Sequence, residues 1–151
     1  MNLIIVGCGR IGSELALATA QEGHQVTVID YSFEAFERLG ANFPGRTVCG
    51  DVLDQAVLHR AEIEHADGLA AVTSDDATNF VIARAAQEIF HVPNVVVRAY
   101  DPRCREAFED LGNQGIAFVG GGGCGLERHR SSFQTVRVSA IRSVDSAALP
   151  G

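Results

Sequence analysis

The stretch LIIVGCGRIG, residues 3–12, decides the fold of this 151-residue chain. Its first four residues are a continuous apolar run, as expected for a strand buried on both faces of a parallel sheet. Three glycines follow at positions 7, 9 and 12, and the sequence then becomes rich in alanine and leucine. This order predicts a buried strand, a tight glycine turn and a helix.

The spacing Gly-x-Gly-x-x-Gly is a weak signal alone, but between a strand and a helix it is the fingerprint of a dinucleotide-binding loop. Gly7 permits the turn, Gly9 lets backbone amides approach a pyrophosphate, and Gly12 lets the helix pack closely on the sheet. The alternative is a glycine turn without a ligand. We predict that the loop residues Gly7, Gly9, Arg10, Ile11 and Gly12 bind phosphates at the helix N-terminus.

Downstream, short apolar runs alternate with helical patterns, which is typical of a parallel sheet with crossover helices. Strands are expected at Leu3–Val6, Gln25–Ile29, Thr47–Cys49, Leu69–Val72, Val95–Ala99 and Ile116–Val119. Helices are expected at Ile11–Glu22, from the cap Ser32 to about Leu39, from the cap Asp54 to about Ala61, at Ala77–Phe90 and at Pro102–Leu111. Residues 1–118 are therefore predicted to be one Rossmann-like α/β domain with a doubly wound, mostly parallel sheet of about six strands.

Two carboxylates and two guanidinium groups extend the predicted site. Asp30 closes the second strand, where it can accept hydrogen bonds from a ribose and repel a 2′-phosphate, so that NADP is disfavoured against NAD(H), ADP or ATP. Asp51 follows the third strand and is expected near the adenine. Arg10 and Arg98 can bind phosphate oxygens. The alternatives are a helix cap for Asp30, a loop cap for Asp51 and an ion pair with Glu14 for Arg10.

Composition excludes several classes of function. All 12 basic residues are arginine, which excludes a Walker lysine and Schiff-base chemistry, and the net charge of −7 disfavours binding to nucleic acid. The four cysteines show no metal-ligand spacing, and no apolar run is long enough to span a membrane. We therefore expect a cytoplasmic protein without a metal site. We also expect no catalytic residues, because the five histidines are scattered along the chain.

Two further features concern partners and the C-terminal end. The helix after Asp76 is apolar around most of its circumference, which indicates a second packed surface for dimerisation or docking. The alternative is that the tail or a later helix covers this surface. Residues 119–151 open with a run of glycines, and we predict a poorly ordered or atypical glycine-rich tail.

Several segments together resemble the nucleotide-binding lobe of the RCK/KTN family, also known as TrkA N-terminal domains. They are GCGRIGSELA at 7–16, VTVID at 26–30, GD at 50–51, ADGLAAVTSDDATN at 66–79 and VVVRAYDP at 95–102. The resemblance covers about residues 1–117. One departure is the sequence VGGGGCG at 119–125, which stands where family members usually carry a Pro-Glu pair.

The resemblance implies a non-enzymatic regulatory subunit that gates a Trk- or Ktr-type potassium transporter in response to NAD(H), ADP or ATP. It implies a homodimer or larger ring, bound at the inner face of the membrane to an integral potassium-translocating subunit. By the same analogy Thr73 and Asn79 lie on the nucleotide side of the fourth strand. The alternatives are a small NAD-dependent oxidoreductase and a soluble nucleotide or redox sensor without a membrane partner.

Overall fold

The computed structural model describes residues 1–104 and 106, together with the backbone of residues 116–120. These residues contain a six-stranded sheet in the order β3-β2-β1-β4-β5-β6, in which all neighbouring strands are parallel. The strands are β1 Asn2–Val6, β2 Gln25–Asp30, β3 Arg46–Cys49, β4 Gly68–Ala71, β5 Asn94–Ala99 and β6 Ile116–Gly120. The predicted doubly wound fold is confirmed.

Helices connect successive strands and cover both faces of the sheet. The α-helices are α1 Arg10–Gln21, α2 Gln55–Arg60 and α3 Asp76–Glu88, and there are 3₁₀ helices at Phe33–Leu39 and Ile63–His65. Asp54 caps α2 through a hydrogen bond from the Ala56 N–H, as the sequence predicts. The side chain of Asp75 caps α3 in the same way, accepting from the Thr78 N–H.

The sheet separates two hydrophobic clusters because successive residues of a strand point to opposite faces. Ile4 and Val6 of β1 pack with Ile82 of α3 on one face. Ile5 of the same strand packs with Leu15 of α1 on the other face. Because side chains of the helices cover β1 on both faces, the strand is buried on both sides, which explains its unbroken apolar sequence.

The segment after β2 differs from the prediction. Phe33–Leu39 is a 3₁₀ helix rather than an α-helix, and the Ser32 side chain makes no capping hydrogen bond. Instead, Oδ1 of Asp30 accepts the Ser32 N–H at 2.8 Å. This bond closes a turn at Ser32 ahead of the helix, and the Asp30 carboxylate does not cap the amides of the helix itself.

Several boundaries also move. The fourth strand begins and ends one residue earlier than Leu69–Val72, and the helix predicted at Ala77–Phe90 ends at Glu88. The sixth strand runs to Gly120, so the first residue of the glycine run ends a strand. Of the predicted helix Pro102–Leu111, residues 102–104 and 106 are helical, and its remainder lies outside the described residues, as does the predicted tail beyond Gly120.

Across the part of the chain that the structure describes, no helix combines the length and apolar character needed to cross a bilayer.

Candidate functional site

The candidate site lies where the strand order reverses, between β1 and β4. In an open parallel sheet, connections leave adjacent strands in opposite directions at this point and open a crevice outside the carboxyl ends. The glycine loop follows β1, and Thr73 lies two residues beyond the end of β4. The structure therefore places these two predicted segments at one edge of the sheet.

Each glycine of the loop answers a different steric demand. Gly7 has φ +102°, and a Cβ there would lie 3.0 Å from backbone atoms of Thr73. A Cβ on Gly12 would lie 1.7 Å from the carbonyl oxygen of Gly7, so α1 could not pack this closely against the loop with any other residue. A Cβ on Gly9 would meet no atom within 4 Å. The protein itself thus requires Gly7 and Gly12, whereas Gly9 faces open space.

The N-terminus of α1 is open to an anion. Gly9 is its N-cap residue, and no side chain caps it. The first amides of a helix lack intrahelical acceptors, and the helix dipole adds a partial positive charge there. Arg10 is exposed beside these amides, and among the described residues it forms no ion pair with Glu14. Ile11 is buried in the hydrophobic core, so only its backbone faces the loop.

Asp30 connects the end of β2 to the glycine loop. Its Oδ2 accepts the Cys8 N–H at 2.7 Å, and its Oδ1 accepts the Ser32 N–H at 2.8 Å. A carboxylate has about four acceptor positions, so each oxygen retains capacity for a hydroxyl donor. The predicted role as a ribose acceptor is therefore compatible with these two backbone hydrogen bonds.

Asp51 lies in the loop after β3, two residues beyond its last residue, Cys49. Its Oδ1 accepts the Leu53 N–H at 2.9 Å, which is the loop-cap alternative weighed in the sequence analysis. The side chain is exposed to solvent. Asp51 therefore stabilises its own turn. This turn follows β3, which lies next to β2 in the sheet.

Asn79 ties the ends of β4 and β5 together. Its fully buried amide donates to the carbonyls of Thr73 and Arg98, both at 3.0 Å. Its Oδ1 accepts the Thr73 N–H at 2.9 Å and the Thr73 hydroxyl at 2.6 Å. These bonds occupy the donors and acceptors of the amide, so the geometry gives Asn79 a positioning role and leaves the half-buried Thr73 at the crevice.

Arg98 is a buried cation at the carboxyl end of β5. Only 7% of the residue is exposed, and its guanidinium lies 3.8 Å from the centre of the Tyr100 ring. Burial lowers the pKa of Arg98, while Tyr100 and Asp76 oppose that shift. Its Nε has no hydrogen-bond partner. A buried donor without a partner is costly, and an anion at this edge would satisfy it.

Sequence reasoning missed three contacts here. The Cys8–Asp30 bond and the bonds from the N–H groups of Tyr100 and Asp101 to the Asp76 carboxylate join residues on different elements. The third contact is the stacking of Arg98 on Tyr100, two residues further along the chain. Only the position of Asp76 at the start of a helix was visible as a signal.

A groove of about 490 Å³ opens at the opposite, amino-terminal edge of the sheet, and its lining includes His24, Arg46 and Glu62. None of the predicted site residues lines it. Its cation and carboxylate already pair with each other, Arg46 with Glu62 at 2.8 Å. The switch-point edge, with its uncapped amides and unpartnered guanidinium nitrogen, is therefore the candidate site.

Among the described residues, no cluster of three or more His, Cys, Asp or Glu side chains could hold a metal ion. The cysteines within this part, Cys8, Cys49 and Cys104, are free thiols. The open space over Gly9, the uncapped amides and the Arg98 nitrogen instead fit the phosphates of a nucleotide, and Asp30 fits its ribose.

A fully parallel, doubly wound sheet with a glycine loop at its switch point defines a Rossmann-type nucleotide-binding fold. Residues 3–118 match the model of the TrkA-N domain, and the chain belongs to this RCK/TrkA-N family. The resemblance noted from the sequence is thereby confirmed.

Curated relatives carry potassium uptake names. The chain is 49% identical over 119 residues to the Trk system potassium uptake protein TrkA of Streptomyces coelicolor, covering 79% of this chain and 53% of that protein. It is 33% identical over 111 residues to a TrkA homolog of Pyrococcus abyssi, covering 74% and 49% respectively. The chain thus spans about half the length of these relatives.

Solved structures share the fold at lower identity. The TrkA-N domain of the inner membrane protein ybaL from Escherichia coli superposes with a TM-score of 0.68 at 19% identity, covering 89% of this chain and 93% of that one. The GsuK channel bound to NAD gives 0.64 at 19% identity, covering 94% and 23%. GsuK bound to ADP gives 0.64 at 20% identity, covering 94% and 34%.

Proposed function

We propose that this chain is the nucleotide-binding regulatory lobe of a Trk/Ktr-type potassium uptake system, and that it senses NAD(H), ADP or ATP without catalysing a reaction. The observation that carries the proposal is the glycine loop, whose Cys8 N–H is fixed by Asp30 while Gly9 and the uncapped start of α1 face open space. This arrangement offers amides to phosphates and a carboxylate to the ribose.

The site favours a nucleotide without a 2′-phosphate. Asp30 places a carboxylate where that phosphate would lie, and both of its oxygens are held by backbone N–H groups, so the side chain is not free to swing away. Like charges in such close contact repel strongly. We therefore assign NAD(H), ADP or ATP, and not NADP, as ligands. Two structural neighbours, the GsuK channel bound to NAD and GsuK bound to ADP, support this class.

The names of the curated relatives support a potassium-translocating membrane subunit as partner. The domain would lie in the cytoplasm at the inner face of the membrane, attached through that subunit. Val81 on α3 and Ile89, the C-cap residue of this helix, are 55% and 59% exposed, which is unusual for large apolar residues and supports a homodimer or ring.

A nucleotide can gate such an assembly only through a difference in affinity between two conformations. The residues suited to make this difference are cations that reach the phosphate chain, because ADP, ATP and NAD differ there. Arg10 is exposed at the loop, and Arg98 is buried with an unpartnered Nε at the end of β5. We assign phosphate contacts to both side chains.

Titration calorimetry of the 151-residue protein with ADP, ATP, NAD, NADH and NADP tests the proposal. We expect binding of at least one of the first four ligands and much weaker binding of NADP. Absence of binding by all of them would overturn the nucleotide assignment. Turnover of an added substrate with NAD or NADH would instead identify an oxidoreductase, and co-purification with an integral potassium-translocating subunit would support the regulatory assignment.

A further inference from the structure

Two aromatic side chains stand exposed directly beyond β2, at the same edge of the sheet as the candidate site. Tyr31 is 84% exposed and Phe33 is 75% exposed. Large apolar rings are usually buried, so the exposure of these two rings beside the candidate site needs a physical reason.

The two rings differ in their surroundings. Phe33 lies edge-on against Phe36, with ring centroids 6.2 Å apart, so its own domain already provides a partner. Among the described residues, the Tyr31 ring has no aromatic or hydrogen-bonding partner. Tyr31 is therefore the ring that remains available to a ligand.

The backbone of Tyr31 is nevertheless held in place. The carbonyl of the preceding Asp30 accepts the Gly50 N–H at 3.0 Å, and the carbonyl of Tyr31 accepts the Cys49 thiol at 3.6 Å. These two bonds continue the contact between β2 and β3 at the carboxyl ends of the two strands. An exposed ring on a fixed backbone loses little conformational freedom when it contacts a ligand.

We propose that the ring of Tyr31 stacks on the adenine base of the bound nucleotide and so contributes to its selection. The inference rests on the proposed function. If phosphates lie over Gly9 and the ribose lies at Asp30, the base extends beyond Asp30, and Tyr31 is the next residue of the chain. Stacking needs the aromatic face of Tyr31 and not its hydroxyl group.

The first experiment compares Tyr31→Ala and Tyr31→Phe in calorimetry with ADP. Base–aromatic stacking predicts that Tyr31→Ala weakens ADP binding by about 5- to 150-fold, whereas Tyr31→Phe keeps the wild-type affinity within about twofold. Phe33→Ala is the matched control, since it removes another exposed ring two residues further along the chain. It should leave the affinity for ADP unchanged.

Inorganic pyrophosphate separates the base from the phosphates. Pyrophosphate should bind the wild type and Tyr31→Ala with equal affinity, because it has no base to stack. A parallel loss of pyrophosphate affinity would show that Tyr31→Ala disturbs the loop, and it would overturn the stacking assignment.

The second experiment is spectroscopic. The chain has two tyrosines and no tryptophan, so Tyr100→Phe leaves Tyr31 as the only emitter of tyrosine fluorescence. Stacking predicts that ADP quenches this emission and that pyrophosphate does not.

The outcomes distinguish this inference from the function on which it rests. A wild type that binds none of ADP, ATP, NAD and NADH contradicts the proposed function. A wild type that binds ADP, with Tyr31→Ala binding equally well and Tyr31 emission unquenched, contradicts only the stacking of Tyr31. A change in oligomeric state of Tyr31→Ala without loss of ADP affinity would assign the ring to a contact between chains and would equally overturn it.

Discussion

The backbone N–H of Cys8 donates to Oδ2 of Asp30 at 2.7 Å, and this bond joins the glycine loop to the neighbouring strand. A carboxylate that would receive the ribose therefore also fixes the loop that would receive the phosphates. The two halves of the candidate site are mechanically one unit, and several predictions depend on this connection.

Replacing Asp30 with alanine should weaken ADP binding by at least about tenfold, because hydrogen bonds to a charged group contribute about 1.5–3 kcal/mol each. Since Asp30 also holds the loop, affinity for inorganic pyrophosphate should fall as well. Calorimetry with both ligands measures this. Asp67→Ala is the control, as its carboxylate accepts the Asn2 N–H at the opposite edge of the sheet; a pyrophosphate affinity unaffected by Asp30→Ala would show that the Cys8 bond does not organise the loop.

Alanine at Gly9 and at Gly12 should have opposite consequences. Gly12→Ala places a methyl group against the Gly7 carbonyl, and overpacking of this kind costs about 1–3 kcal/mol in the free energy of unfolding. Gly9→Ala meets no protein atom, so stability should be preserved while the methyl group occupies the space of a phosphate. Denaturant unfolding and calorimetry separate the two effects. Full ADP affinity in a stable Gly9→Ala protein would place the phosphates elsewhere.

Asn79→Ala should destabilise the fold by about 1–3 kcal/mol, because it leaves buried backbone groups of Thr73 and Arg98 without partners. ADP affinity should also fall, since the ends of β4 and β5 lose their connection. Asn94→Ala is a control at the other edge of the sheet, where the side chain bonds the carbonyl of Asp67. It should lower the free energy of unfolding without a specific loss of ADP affinity.

Arg10→Ala should weaken ATP binding more than NAD binding, because only ATP carries a terminal phosphate beyond the pyrophosphate. The side chain is exposed and has no ion pair with Glu14, so stability should change by less than about 0.5 kcal/mol. Competition calorimetry with ATP and NAD measures the ratio of the two affinities for the wild type and for the variant. Equal losses for ATP and NAD would remove Arg10 from the discrimination between them.

The Cys8 thiol should make stability fall at alkaline pH. Burial, and then the charge of Asp30, raise the pKa of Cys8 from 9.0 to about 11. Between these values the unfolded chain has released the proton and the folded chain still holds it, so the folded state loses stability as the pH rises. Cys8→Ser keeps a donor to the Ala35 carbonyl but does not titrate. Unfolding in denaturant at pH 8 and pH 10 should show a smaller decrease for this variant than for the wild type.

Local sequence predicted most of the fold because its signals are short-range. The apolar run before Gly7, the glycine spacing and the periodicity of the helices located the strands and the order of elements. Asp54 was identified as a cap because a cap depends only on the few residues that follow it. One local prediction was wrong. At Phe33–Leu39 the sequence favours an α-helix, but the structure has a 3₁₀ helix. This conformation accompanies the bond from the Ser32 N–H to Asp30 and the packing of Phe36 on the cluster that contains Leu15 of α1.

The sequence by itself determined that the chain forms an α/β sheet with a glycine loop and an acid after the second strand, since these follow from neighbours along the chain. Only the tertiary structure decided that Asp30 holds Cys8, that Asn79 joins Thr73 to Arg98, and that the Nε of Arg98 is buried without a partner. The Cys8–Asp30 and Asn79–Arg98 contacts join residues 22 and 19 positions apart. They exist only once parallel strands have brought their carboxyl ends to one edge, and no local pattern encodes that distance.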